Sequence, residues 1–210
     1  MADNWILDGT IAERTMKPLY LDHAATAPPC AAALKAFNDA CAAAYANPGS
    51  LHQPGADAAR LITKSRNKIL KLLNASNYKL AFTATGTESN RLGICGHHSS
   101  GVALVGATEH PSSLKTVESL NCDYRRVQVL QDGRIDLEDF KSKLNSDVSL
   151  VSMQWVNNEL GCVQPLTEMV ALTRQLAPNA HFHVDAIQAA GKFILHLDQI
   201  DADSFAIAAH

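Results

Sequence analysis

The sequence predicts an α/β fold, with a mostly parallel central sheet flanked by helices and a more helical segment in front of it. Three observations carry that expectation. From residue 79 onward, short runs rich in β-branched and apolar residues alternate with stretches of helical period, the pattern of strand–helix–strand units. Residues 29–73 carry long helical patterns with no strand between them. At 210 residues, 47% hydrophobic and 19% charged, the chain can bury one sizeable core, and that balance is globular rather than disordered.

Taken in order, residues 1–18 read as a loosely held arm. Pro29 suits the first turn of an Ala-rich helix that ends near Ala46. Asn47 to Gly55 is a loop by its turn chemistry, and a helix over 56–73 follows. Its apolar Leu61, Ile62, Ile69, Leu70, Leu72 and Leu73 are interrupted by Lys64, Arg66, Lys68 and Lys71, which makes it amphipathic with a solvated basic face. A strand over 79–83 then leads to a helix over 88–97, a strand over 102–106 and a helix over 112–120. A strand over 124–129, an Asp132-Gly133 turn and a helix over 136–144 come next. Strands over 148–153, 181–185 and 204–208, with a helix over 166–176, complete the alternation.

Composition also narrows the function. A formal net charge of -3 without a clustered basic stripe gives no reason to expect nucleic acid as a partner. No stretch is apolar for long enough to span a bilayer. The start Met1-Ala2-Asp3-Asn4-Trp5 lacks the basic residues and apolar run of a signal peptide, so a cytoplasmic protein is expected. Cys30, Cys41, Cys95, Cys122 and Cys162 are scattered with no CxxC pair, which argues for free thiols. Cys41 and Cys95, in expected helices, read as small buried residues.

Chemistry-bearing residues fall where strands end. Thr83 to Glu88 closes one expected strand and opens a helix, the place where open α/β sheets bind ligands. Gly86 would let the backbone approach a ligand, and the amides of a helix start favour phosphate. Thr85 and Glu88 also have capping-box spacing, so a plain helix start is the competing reading. Asp185 ends a strand expected to be buried, where a carboxylate is costly unless paired; it either serves a ligand or caps the next turn. Gln188 is a donor to a ligand oxygen or an exposed loop amide.

His110, before Pro111, can stack on a flat heteroaromatic ring and exchange protons near neutral pH, or cap the following helix. Asn157-Asn158-Glu159-Leu160-Gly161 supplies polar side chains after another strand, and by itself is a turn. His181, His183 and Asp185 alternate along one strand face and could suit a divalent metal, but no further group of ligands accompanies them. No metal is expected, and histidines satisfied by core hydrogen bonds are the simpler reading. His97-His98 reads as a solvated turn. Together, Thr85 to Thr87, His110, Asn158 and Asp185 to Gln188 are expected to gather along one edge of one sheet.

Read in order, these motifs resemble the cysteine desulfurase branch of the class V aminotransferases, which use pyridoxal phosphate (PLP). The likeness begins at Tyr20-Leu21-Asp22-His23-Ala24-Ala25-Thr26-Ala27-Pro28 and runs through Asn47-Pro48-Gly49-Ser50, His52 and Thr87-Glu88-Ser89-Asn90. It continues through Glu109-His110-Pro111, Asn157 to Gly161, Gln164-Pro165, His183-Val184-Asp185, Gln188 and Gly191-Lys192 to His210.

The resemblance implies a PLP-dependent transferase large domain over 19–210. It places Gly86 and Thr87 on the cofactor phosphate and His110 over the ring as the catalytic side chain. Asn158 and Gln188 would address the phenolic oxygen, and Asp185 would keep the pyridine nitrogen protonated, a better electron sink. His210 would stand beside the Schiff-base lysine, which follows directly in the family. The implied reaction takes L-cysteine to L-alanine and passes the sulfur through an enzyme persulfide toward iron–sulfur clusters or modified nucleosides. Implied partners are a sulfur-acceptor protein and a homodimer mate or a complementing C-terminal fragment.

Some positions depart from the family pattern. Ala208 stands where a phosphate-binding serine is usual, Ala84-Thr85 replaces Ser-Gly, and Arg91 replaces an asparagine. With the lysine, the persulfide cysteine and the small C-terminal domain outside the 210 residues, the expectation is a truncated chain, inactive alone and prone to association through exposed sheet edges. The alternatives are a non-catalytic family remnant acting in dimerisation or interaction, or part of another class V enzyme such as selenocysteine lyase or an aminotransferase.

Overall fold

Alternating strand and helix patterns resolve, in a computed structural model describing residues 6–7, 10–11, 19–96 and 100–209, into one layered α/β unit. Strands β1 (Ile6–Leu7) and β2 (Thr10–Ile11) form a short antiparallel pair within the expected arm. Helices α1 (Ala31–Ala43) and α2 (Gln53–Leu72) follow. Then come α3 (Gly86–Cys95), β3 (Val102–Gly106), α4 (Pro111–Glu118), β4 (Tyr124–Val127) and α5 (Leu137–Lys143). β5 (Val148–Gln154), α6 (Leu166–Leu176), β6 (His181–Asp185) and β7 (Ser204–Ala206) complete the order.

The five strands from β3 to β7 run parallel in the order β4-β3-β5-β6-β7. The chain moves outward from β3 to β4, then returns to the other side of β3 with β5. That reversal makes the gap between the carboxyl ends of β3 and β5 a topological switch point, where ligand crevices form in open sheets.

Strand alternation divides the interior into two cores. On one face, Leu104, Val151, Met153, Phe182 and Val184 pack with Phe140 of α5 and Met169 and Val170 of α6. On the other, Ala103, Val105 and Leu150 pack with Ile94 of α3 and Val117 of α4. This second face also buries Ser152, His183 and Asp185, so it is where polar chemistry lies.

The expected strand over 79–83 does not form. The segment is tied to α2, where Arg66 Nε donates to the Leu80 carbonyl at 2.9 Å and its guanidinium lies 5.4 Å from the Phe82 ring centroid. No described strand pairs with it, and an extended run without a ladder partner is not a strand. Helix α2 begins three residues before the expected start: His52 Nδ1 accepts from the Gly55 amide, and Pro54 sits in the first turn. Cys41 is exposed, not buried, because α1 has no buried residue; Cys95 is half-buried. All five cysteines are free. His97, His98 and His210 lie outside the described residues. No helix among the described residues is long and apolar enough to cross a membrane.

Candidate active site

Helix α3 starts as its sequence dictates. Thr85 is the N-cap, its Oγ1 accepting from the Glu88 amide at 3.1 Å, while Glu88 Oε2 accepts from the Ala84 amide at 2.7 Å. This is a capping box shifted by one residue on its return bond. It leaves the Gly86 and Thr87 amides without a partner among the described residues, beside the exposed Thr87 side chain. Gly86 is small for a reason the sequence did not show. A Cβ there would sit 2.6 Å from Ile187 Cδ1, so the glycine lets α3 pack against the turn after β6. Ala208 Cβ lies 4.0 Å from the same point, which puts residue 208 at this helix start.

Across the switch point, the turn after β3 is fastened from β5. Gln154 Nε2 and Asn157 Nδ2 donate to the Thr108 carbonyl at 2.8 and 3.0 Å, and Glu109 Oε1 accepts from the Gln154 amide at 2.7 Å. Gly106 makes room for Glu109: a Cβ there would lie 2.8 Å from Oε1. Burial, with Asp185 nearby, holds the Glu109 carboxyl well above the usual range against the Gln154 amide, and its Oε2 has no partner among the described residues. On this platform His110 is the N-cap of α4, its Nδ1 accepting from the Ser112 amide at 3.1 Å and lying 2.7 Å from Ser112 Oγ. The capping alternative is thus realised, and it also fixes the orientation of an exposed ring.

Asp185, at the end of β6, is 5% exposed. Its Oδ1 accepts from the Ile187 amide at 3.1 Å, the turn-capping bond, and its Oδ2 accepts from Asn90 Nδ2 at 2.8 Å. Burial raises its pKa, opposed by those two donors and by His110. His183 is wholly buried and held neutral, its pKa lowered to about 3 by burial and by His181. His181 and His183 both lie 2.8 Å from Ser204 Oγ, which gives the pair a core hydrogen-bonding role. Among the described residues, no group of three His, Cys, Asp or Glu side chains could hold a metal ion.

The rim therefore brings the start of α3, His110 and Asp185 together. Asn158 is half-buried in the loop whose Asn157 braces Thr108. Gln188 is not the exposed loop amide of the alternative reading, since it is half-buried, its Nε2 donates to the Ala24 carbonyl at 2.8 Å and its Oε1 accepts from Lys192 Nζ. Asn90 and Ser112 were missed as site residues. Asn90 stands one helical turn before the buried Ile94, a polar residue on the apolar side of α3, and that placement was the available signal.

A match to the aminotransferase class V family model runs over residues 19–210, the whole of this arrangement. The chain belongs to that family. It is 34% identical over 198 residues to a NifS/IcsS protein homolog of Lactobacillus delbrueckii subsp. bulgaricus, covering 89% of this chain and 51% of that protein. It is also 34% identical over 202 residues to the cysteine desulfurase IscS of Neisseria meningitidis serogroup C, covering 92% and 50%. Among solved structures, a NifS-like protein from Rickettsia africae superposes with a TM-score of 0.81 at 29% identity, over 91% of this chain and 54% of that one. The structure described as SspA in complex with cysteine gives 0.83 at 26% identity, over 91% and 57%. The chain spans about half the length of the curated relatives it matches.

The chemistry of this rim fits a flat, anionic group. The Gly86 and Thr87 amides with the Thr87 hydroxyl offer donors to a phosphate, aided by the positive end of α3. The buried Asp185 carboxylate, fixed by two donors, offers an acceptor to a ring N–H.

Proposed function

We propose that this chain carries the PLP-cradling site of a cysteine desulfurase-like enzyme. The carrying observation is the buried, doubly fixed Asp185 at the sheet edge where α3 also presents amides with no partner among the described residues. In this reading Gly86 and Thr87 hold the phosphate, and Asp185 holds the ring nitrogen and its proton. His110, anchored through Nδ1, lays its exposed ring over the cofactor and is the catalytic side chain. Asn158 and Gln188 address the phenolic oxygen, for which Gln188 must exchange its bond to Ala24. His210 completes the set by resemblance alone. Bound PLP supplies the electron sink; these side chains bind, orient and hold protons.

For the protein that carries this site we propose the chemistry of its relatives. L-cysteine yields L-alanine, and the sulfur leaves as a persulfide for an acceptor protein. Support comes from the relatives named cysteine desulfurase and from the neighbour solved with cysteine. A cytoplasmic location and a homodimer belong to the same proposal. The alanine at 208, beside the α3 start where a serine hydroxyl is usual, favours the second reading, a non-catalytic relative, as does the altered Ala84-Thr85 loop.

Titrating the purified chain with PLP, and following half-buried Trp155 fluorescence with equilibrium dialysis, separates the two. Saturable binding, weakened roughly tenfold or more by Asp185→Ala and by Thr87→Ala, is expected. No saturable binding, or binding indifferent to both substitutions, would overturn the cofactor reading.

A further inference from the structure

Asn90 is wholly buried, yet every polar atom of its side chain is engaged by a residue from a different element. Nδ2 lies 2.8 Å from Asp185 Oδ2 and 2.9 Å from Ser112 Oγ, and Oδ1 lies 3.1 Å from His183 Nε2. An amide has two N–H donors and one carbonyl, and this inventory allows one proton arrangement around an ionised Asp185. Carboxylate oxygens only accept, so Nδ2 must face Asp185, and Oδ1 must then accept from His183. A neutral His183 therefore carries its proton on Nε2, and its Nδ1 accepts from the Ser204 hydroxyl at 2.8 Å. Ser204 Oγ in turn accepts from His181 Nε2. On the other branch, Ser112 Oγ accepts from Asn90 and donates to His110 Nδ1 at 2.7 Å. Turning the amide over would set its carbonyl oxygen against the Asp185 carboxylate, leaving the buried Asp185 Oδ2 without a donor.

We propose that Asn90 is a positioning residue, its amide locked by His183 so that it always presents a donor to Asp185 and keeps that carboxylate ionised and aimed at the cofactor ring. His183 is the lock: with its proton on Nε2 it can only donate to Asn90, while its Nδ1 accepts from Ser204. What Asp185 does toward the ring rests on the function proposed above; the proton arrangement itself does not.

The test uses the full chain labelled with 15N at histidine and 13C at aspartate, without PLP, in long-range proton–nitrogen and carboxyl carbon spectra. Wild type should show His183 as the Nε2–H form alone. Asn90→Ala removes the acceptor, so His183 should move its proton to Nδ1 and donate to Ser204. Asn90→Asp keeps an acceptor and should leave His183 in its wild-type form. In both variants the midpoint of the Asp185 carboxyl titration, read from 13C shifts, should rise by roughly one unit, because a donor to the charged form is lost. A wild-type His183 protonated on Nδ1 overturns the proposal, even if the variants fail to fold. So does an unchanged Asp185 titration in folded variants. PLP binding by wild type is measured separately: its absence would sink the cofactor reading while the histidine spectra still decide the role of Asn90.

Discussion

Helix α1 and strand β6 invert what their compositions suggest. The helix is thirteen residues of mostly alanine with Leu34, Phe37 and Cys41, yet none of them is buried, and Phe37 is 67% exposed. The strand is His-Phe-His-Val-Asp, three polar residues in five, and four of the five are buried. The difference is one of neighbours. β6 lies between β5 and β7 with helices over both faces, whereas among the described residues no element covers α1. Burial thus follows topology, and a buried polar group survives only where its partners are built in.

The sharpest way to break this comparison is to truncate one phenylalanine in each region. Phe182→Ala in β6, at 0% exposure, should cost ~3–5 kcal/mol in denaturant unfolding. Next is pH. His183 is held neutral down to about 3, while the unfolded imidazole protonates near its ordinary value, so the unfolded state binds the extra proton between the two. Stability from this group is complete above that window and falls by ~1.4 kcal/mol per unit as pH drops through it. His183→Gln should remove that slope, and an unchanged acid limb would show that His183 is not buried as described.

Glu109 works in the opposite sense. Its folded pKa is raised, so its contribution is lost as pH rises, and Glu109→Gln should gain on wild type as pH climbs above the ordinary carboxylate range. A gain that shrinks over that climb would contradict the buried placement of its carboxyl. Thr85→Ala removes the α3 cap and should cost ~1 kcal/mol, seen as a small shift in the unfolding midpoint. The smallest effect belongs to α1: Phe37→Ala should change stability by less than ~0.5 kcal/mol. A loss comparable to that of Phe182→Ala would show that α1 is covered in solution.

Much of the fold was legible in advance. The strands over 102–106 and 181–185 and the helix over 166–176 occur with the expected bounds, because hydrophobic period and turn residues are local signals. The run over 79–83 failed because a strand needs a partner, and pairing is not local. At the site, Thr85, His110 and Asp185 stood out by their places at strand ends. Asn90 did not, since its meaning lies in a hydrogen bond to a residue 95 positions away.

The sequence by itself determined the alternation, the Thr85 cap of α3 and the family, all of which are written in neighbouring residues and ordered motifs. Only the tertiary structure decided that Gly86 yields to Ile187, that Gln188 is engaged by Ala24 and Lys192, and that Asn90 joins Asp185 to His183. Those facts depend on which groups remain to satisfy one another once water is excluded, and that is settled by packing alone.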